Sequence, residues 1–292
     1  MNWKSGNFDT NISYTLDGTT HQESMNLHYW YSPNPGKPKL LFLHGWAEYG
    51  LAMKRLAEPF VKEYDILAPD ARAHGHSDGP PSHYTINERV DDLDAVLNET
   101  DFTPNIIIGH SMGANVGTAA AIRHPEWIKG LVLIDPSWKG GFEQTINPEQ
   151  EAKYWTRTIH QWKRFSEAQL LRFAQKNFPQ WHPEDHEHWV KGKKLIKENT
   201  LNGYQHTNPR WDDYIETIPC PGVLVTGDPA KGAIISPETA AASKLRWKGL
   251  REIVNIPHAG HYVHHYDVKP IQKALRSLIE SVFPLDNETS FR

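Results

Sequence analysis

The chain has 292 residues, a formal net charge of -4 and a single cysteine, Cys220. This mild acidity excludes the basic surface that nucleic-acid binding requires, and one cysteine excludes an internal disulfide framework. No run of residues approaches the roughly 18 apolar residues of a membrane-spanning helix, and the N-terminal residues show no secretory signal. We therefore expect a cytoplasmic protein that binds neither nucleic acid nor membranes, and the sequence leaves the oligomeric state open.

Short, almost wholly apolar runs recur along the chain, and each ends in a polar or glycine-containing loop. Such runs are typical of strands that are buried on both faces of a parallel sheet. They lie at residues 40–43, 65–68, 106–108, 131–134, 223–226 and 252–256, after two amphipathic strands at 12–16 and 25–31. Helices are predicted around them at 51–62, 86–98, 112–123, 237–247 and 268–282. This alternation predicts an α/β fold with a mostly parallel, doubly wound sheet.

One segment, residues 137–218, interrupts this alternation because it contains no convincing buried strand. Its pattern predicts helices at 148–165, 167–178, 183–199 and 209–218. The spacing of Ser166 and Gln169 is that of a capping box at the start of the second of these helices. We therefore expect residues 1–136 and 219–292 to form the sheet domain. Residues 137–218 would form a helical lid over its carboxyl edge, inserted before the penultimate strand.

The strongest motif is Gly109-His110-Ser111-Met112-Gly113, which follows one predicted strand and opens a predicted helix. A sharp strand-to-helix turn of this kind strains the serine backbone and requires small flanking residues. It presents the serine hydroxyl above the sheet, where the helix N-terminus stabilises the negative charge that develops during acyl transfer. The pattern therefore predicts that Ser111 is a nucleophile.

A serine nucleophile needs a general base, and the base needs a carboxylate that fixes its tautomer. His261 is the predicted base because Ala259-Gly260-His261 follows the last predicted strand. Two carboxylates are candidates: Asp228 follows the penultimate strand, and Asp135 follows the strand before the lid. We prefer Asp228, because its strand directly precedes the one that delivers His261. Asp135 remains the alternative.

The predicted oxyanion hole uses two backbone N–H donors. One belongs to Met112, directly after the nucleophile, and the other to Trp46, in the loop after an early strand. The side chains predicted to line the substrate pocket are those of Trp46, His110, Trp138 and Trp155. Aromatic side chains there would shape an apolar pocket for a small-molecule acyl substrate and exclude water. No cofactor and no metal is predicted to take part.

Several motifs together resemble those of the α/β-hydrolase superfamily, in the branch with a serine nucleophile and a helical cap. They are His44-Gly45-Trp46, the loop at 70–77, Gly109-His-Ser-Met-Gly113, Gly227-Asp228 and Ala259-Gly-His261. The resemblance covers nearly the whole chain. It implies a hydrolase that cleaves a carboxylic ester, lactone or related acyl bond through a serine acyl-enzyme. One departure is the loop at 228–237, which is longer than the usual acid loop of the family.

Other interpretations of the same residues stay open. A carbon–carbon bond hydrolase or a lyase can use this scaffold, and so can a non-catalytic ligand-binding relative. His74, His76 and Asp78 resemble the start of a metallo-β-lactamase motif, but Gly79 stands where the next histidine ligand would be. A usable metal site needs three or more converging ligands. We therefore favour the serine mechanism over a metallohydrolase.

Overall fold

The computed structural model describes residues 3–138, 148–202 and 210–283. Within them, eight strands form one sheet in the order β1-β2-β4-β3-β5-β6-β7-β8. The strands are β1 (Lys4–Leu16), β2 (Thr19–Ser32), β3 (Lys39–Leu43), β4 (Asp65–Pro69), β5 (Ile106–His110), β6 (Gly130–Ile134), β7 (Gly222–Thr226) and β8 (Leu250–Asn255). All neighbouring pairs from β4 to β8 are parallel, whereas β1–β2 and β2–β4 are antiparallel. The predicted mostly parallel sheet is confirmed.

The helices of the described residues follow the same chain order. They are α1 (Lys54–Ala57), α2 (Ile86–Glu99), α3 (Met112–Arg123), α4 (Pro148–Arg164), α5 (Glu167–Asn177), α6 (Pro183–Leu195), α7 (Trp211–Tyr214), α8 (Pro237–Arg246), α9 (Val263–Tyr266) and α10 (Val268–Val282). None of them is long and apolar enough to cross a bilayer, within the ranges described. The capping box predicted at Ser166 is present, and Ser236 caps α8 through the N–H of Thr239.

Three predicted helices are shorter in the structure by more than one residue, and the one predicted at 183–199 ends at Leu195. The stretch at 51–62 contains only α1, flanked by the 3-10 turns Gly50–Met53 and Glu58–Phe60. Pro59 accounts for this, because proline lacks an N–H and its ring clashes with the carbonyl four residues earlier in an α-helix. The prediction at 209–218 is reduced to α7 and a following 3-10 turn, and residue 209 lies outside the described residues.

The first two strands form a long hairpin that the apolar pattern underestimates. Asp17 and Gly18 join them in a two-residue turn, with φ of 49° and 76°. Positive φ at both positions is the conformation that favours a tight right-twisted hairpin. Only Tyr29–Ser32 of β2 pairs with β4, so most of the hairpin extends past the sheet. Its residues are largely exposed there, which is why hydrophobic periodicity predicts only its buried parts.

Buried side chains on the two faces of the sheet belong to two separate hydrophobic clusters. In β3, Leu41 and Leu43 join one cluster, whereas Leu40 and Phe42 join the other. Alternate residues of a strand point to opposite faces. A strand covered by helices on both faces therefore needs an uninterrupted apolar run, as the sequence has here.

The segment between β6 and β7 contains α4 to α7, and it contacts the loops that follow the central strands. Lys193 donates a hydrogen bond from Nζ to the carbonyl oxygen of Ala47, at 2.9 Å. Lys197 Nζ lies 3.1 Å from Asp78 Oδ1, and Asn199 Nδ2 donates to the carbonyl oxygen of Gly79 at 2.9 Å. These helices thus lie against loops at the carboxyl edge of the sheet.

Candidate active site

Ser111 stands between β5 and α3 in a strained conformation, with φ of 51° and ψ of -113°. A non-glycine residue with positive φ is uncommon and costs free energy. The glycines on either side are required by close approach of the backbone. A Cβ atom at Gly109 would lie 2.5 Å from the carbonyl oxygen of Gly113, and one at Gly113 would lie 2.1 Å from that of Leu43. The sharp turn predicted from the motif is therefore present.

The side chains of Ser111, His261 and Asp135 form a continuous hydrogen-bonded chain. His261 Nε2 lies 3.0 Å from Ser111 Oγ, and His261 Nδ1 lies 2.7 Å from Asp135 Oδ2. The Asp135 carboxylate is fully buried, whereas 26% of the His261 side chain is exposed. This is the geometry of a nucleophile, a general base and an orienting carboxylate.

The structure corrects the choice between the two carboxylates, because Asp135 and not Asp228 contacts His261. The Asp228 side chain instead accepts hydrogen bonds from Ala230 N at 2.9 Å and from Lys231 Nζ at 2.7 Å. The hydrogen bond from Lys231 lowers the pKa of Asp228. Strand order explains the difference. Asp135 follows β6, which lies directly beside β5, the strand that precedes Ser111, whereas Asp228 follows β7, one strand further out.

Backbone N–H groups hold the Asp135 carboxylate in place. Ile234 N donates to its two oxygens at 2.9 and 3.1 Å, and Ile235 N donates to Oδ1 at 3.0 Å. Both donors belong to the long loop after β7, so the extra length noted in the sequence brings two amides to Asp135. The backbone of Asp135 has a φ of 39°, so Asp135 is the second residue of this site, after Ser111, with a strained backbone.

His110 is 1% exposed and lies behind the turn. Its Nδ1 is 2.8 Å from Glu48 Oε2, and its Nε2 is 3.0 Å from the carbonyl oxygen of His261. Since a carboxylate and a carbonyl oxygen both accept hydrogen bonds, this arrangement favours the form of His110 that carries a proton on each ring nitrogen. Burial lowers its pKa, but the charge of Glu48 outweighs this and raises it overall.

Glu48 is a buried charged residue of the candidate site that the sequence analysis missed. It is 1% exposed, and its Oε2 also accepts a hydrogen bond from Gly45 N at 2.6 Å. Burial opposes its ionisation, but the charge of His110 and the hydrogen bond from it hold the pKa of Glu48 well below its usual range. The available signal in the sequence was a glutamate three residues after Gly45, the glycine of the loop that follows β3. The predicted pocket position of His110 is also corrected, because its ring is enclosed by this network.

The two predicted oxyanion donors lie on adjacent segments. Met112 is the first residue of α3, so its N–H has no acceptor within the helix. A Cβ at Gly113 would meet the carbonyl oxygens of Leu43 and His44, at 2.1 and 2.7 Å. The loop that carries Trp46 therefore runs beside the first turn of α3.

The aromatic residues predicted to line the pocket occupy different environments. The ring centroids of Trp46 and Trp155 are 4.6 Å apart, and Trp162 lies 6.2 and 6.4 Å from them. Trp138, in contrast, is 3% exposed and belongs to a core cluster that includes Ile235. The structure thus brings Trp155, and not Trp138, against the loop after β3.

The residues of the rival metal motif do not converge. His74 is buried with Nδ1 2.8 Å from the carbonyl oxygen of Arg72, and the His76 ring packs on His28 with centroids 4.9 Å apart. Asp78 instead pairs with a lysine of the helical segment. The interpretation of these three residues as the start of a metal site is therefore not supported by their placement.

The combination of a strained serine at a strand-to-helix turn with a parallel sheet covered by helices is characteristic of one protein family. The model of the alpha/beta hydrolase family matches residues 40–271, and the chain belongs to this family. The resemblance noted in the sequence is thereby confirmed at the level of the superfamily.

Individual relatives are similar over parts of the chain. Epoxide hydrolase 4 of Mus musculus is 29% identical over 113 residues, which are 38% of this chain and 32% of that protein. Lipase LipV of Mycobacterium tuberculosis is 36% identical over 107 residues, 37% of this chain and 40% of that protein. The crystal structure of E-2-(acetamidomethylene)succinate hydrolase covers 94% of this chain and 100% of its own, with a TM-score of 0.74 and 17% identity. The matched part thus spans less than half of the length of the epoxide hydrolase and of the lipase. The similarity to the solved structure concerns the fold alone.

Proposed function

We propose that this protein is a serine hydrolase that cleaves a carboxylic ester, lactone or related acyl bond of a small molecule. The observation that carries the proposal is the hydrogen-bonded chain from Ser111 Oγ through His261 to Asp135. A hydroxyl is a weak nucleophile, and this chain supplies the base that activates it. It is buried at the carboxyl edge of the sheet, where the family places its chemistry.

In the proposed reaction, His261 Nε2 takes the proton of Ser111 as Oγ attacks the acyl carbon. The Asp135 carboxylate stabilises the imidazolium, and the amides of Met112 and Trp46 stabilise the oxyanion. His261 then gives the proton to the leaving oxygen, which departs as an alcohol and leaves an acyl-enzyme. A water molecule deprotonated by His261 releases the acid. None of these steps needs a metal or a cofactor.

The names of the relatives support hydrolysis but do not agree on a substrate. They include a lipase, an epoxide hydrolase and a 2-(acetamidomethylene)succinate hydrolase. Epoxide hydrolases of this superfamily use an aspartate at the position of Ser111, which favours acyl chemistry for this chain. We assign His110 a positioning role, since it links Glu48 to the main chain of His261.

A panel of short-chain p-nitrophenyl esters and lactones tests the proposal. We expect turnover of at least one activated ester, with a pre-steady-state burst of p-nitrophenol close to one equivalent per chain. The burst is expected because the acyl-enzyme forms before water releases it. The absence of turnover on the whole panel would contradict the proposal and favour a ligand-binding relative.

The lid should select the acyl group, because Trp155 on α4 packs on Trp46 beside the proposed oxyanion hole. We expect Trp155→Ala to change the ratio of kcat/KM between hexanoyl and acetyl esters by about ten-fold, since pocket contacts with a few methylenes are worth this much. Phe173→Ala is the matched control, because Phe173 is a half-exposed aromatic residue on α5. Equal ratios in wild type and Trp155→Ala would show that Trp155 only packs the lid.

A further inference from the structure

A second cluster of titratable side chains lies behind the nucleophile, and its members take no part in the steps proposed above. Glu48, His264 and His265 are each 1% exposed. One potential ligand atom of each lies within 4.8 Å of the other two. Glu48 belongs to the loop after β3, and the two histidines belong to α9, a few residues after His261. The cluster therefore joins two segments that frame the candidate active site.

Several polar atoms of this cluster lack the hydrogen bonds that buried polar atoms need. Glu48 Oε1 and both ring nitrogens of His264 have no hydrogen-bond partner. Glu48 Oε1 lies 3.5 Å from His264 Nε2 and 3.7 Å from His265 Nε2, and both distances are longer than those of ordinary N–H···O hydrogen bonds. Leaving buried polar atoms unsatisfied costs free energy. The three side chains thus point toward a shared position where a bound ion would satisfy them.

The two separations that start from Glu48 fit a tetrahedral metal ion. Ligands about 2.0–2.1 Å from zinc lie about 3.4 Å apart at the corners of a tetrahedron. The distances of 3.5 and 3.7 Å from Glu48 Oε1 to the two imidazole nitrogens differ from this by a few tenths of an ångström. Two imidazoles and one carboxylate form a donor set that suits zinc, whereas magnesium and calcium prefer oxygen ligands.

Neighbouring groups orient these side chains as they do around metal sites. The other oxygen of Glu48 accepts the hydrogen bond from His110. His265 Nδ1 lies 3.4 Å from Asp185 Oδ1, and Asp185 pairs with Arg55 at 2.7 Å. His265 Nδ1 has no hydrogen-bond partner at this distance, but a shift of a few tenths of an ångström would let it donate to Asp185, which would fix its tautomer and leave Nε2 available for the metal. The arrangement therefore has both a ligand set and its supports.

We propose that Glu48, His264 and His265 bind one zinc ion, with a water molecule as the fourth ligand. The ion would tie the loop after β3 to α9, and so hold the segment that carries His261 against the segment that carries Trp46. Its role is structural and does not depend on the serine mechanism. The sequence analysis predicted no metal, because these three residues share no recognisable spacing.

Metal analysis of the untagged protein tests this site. Protein expressed with added zinc should hold about one zinc per chain after desalting. Metal-free protein, prepared with dipicolinate and loaded with cobalt(II), should show the visible absorption of tetrahedral cobalt. His264→Gln and His265→Gln should each reduce zinc to below about a tenth of an equivalent. His74→Gln is the matched control, since His74 is also buried with a partnerless Nε2 but lies outside the cluster.

The wild-type measurements decide the proposal even if a variant fails to fold. Wild-type protein that takes up no zinc and shows no cobalt absorption would overturn it. Variants of His264 and His265 that keep the zinc content of wild type would overturn it as well, because the metal would then sit elsewhere. Loss of zinc in His74→Gln to the same extent would also contradict the assignment.

Discussion

Replacing Ser111 with alanine should lower kcat on an activated ester by about a million-fold while the protein stays folded. Loss of the nucleophile of a serine triad has an effect of this order. Alanine fits the site, because the Ser111 hydroxyl makes its contact with His261 and the smaller side chain removes only that contact. Initial rates on a p-nitrophenyl ester and thermal melting by circular dichroism measure the two expectations.

Ser243→Ala is the matched control, because Ser243 is a fully buried serine on α8 that donates to the Thr239 carbonyl. It should keep the wild-type rate. An organophosphonate should modify wild-type Ser111 and leave Ser111→Ala unlabelled, as read by peptide mass spectrometry. Labelling of another residue, or a rate in Ser111→Ala within ten-fold of wild type, would rule out Ser111 as the nucleophile.

Replacing Asp135 with asparagine should lower kcat by about ten-thousand-fold, because an amide cannot hold the imidazole of His261 in the tautomer that accepts the serine proton. The variant should also be less stable, by about 1–3 kcal/mol, since the amides of Ile234 and Ile235 would lose buried carboxylate acceptors. Rates are therefore to be expressed per folded molecule, with the free energy of unfolding measured in urea.

Asp228→Asn is the natural comparison, because it makes the same chemical change on the neighbouring strand. Its side chain is paired with Lys231 and does not contact His261, so we expect rates close to those of wild type. A large loss of kcat in Asp228→Asn together with a kcat close to that of wild type in Asp135→Asn would reverse the assignment. It would show that the hydrogen bond from Asp135 to His261 is not needed for the reaction.

Most of the sheet could be predicted from local sequence. Apolar runs such as residues 106–108 and 131–134 lie in β5 and β6, because a strand that is covered on both faces buries most of its side chains. The position of Ser111 at the strand-to-helix turn could be predicted because its motif combines a strand end, two obligatory glycines and a helix start within five residues. These are short-range signals, and each of them has one physical cause.

The choice of carboxylate could not be predicted in the same way. Asp135 and Asp228 both follow a buried strand, and local sequence does not specify which strand lies beside β5. The same limit applies to Glu48, whose partners His110 and His264 are distant in the chain. Contacts of this kind depend on strand order and loop paths, and these are fixed by the packing of the whole domain.

The hydrogen bonds of the candidate active site span long stretches of chain, since Asp135 and His261 are 126 positions apart and Ser111 and His261 are 150 positions apart. During synthesis from the N-terminus, Ser111 and Asp135 leave the ribosome well before His261. The base arrives only after β8, which forms the last edge of the sheet. Closing so long a loop costs entropy that many other contacts must offset. A nascent chain that ends before β8 therefore lacks His261, and the hydrogen-bonded chain from Ser111 to Asp135 can form only once the last strand of the sheet has been made.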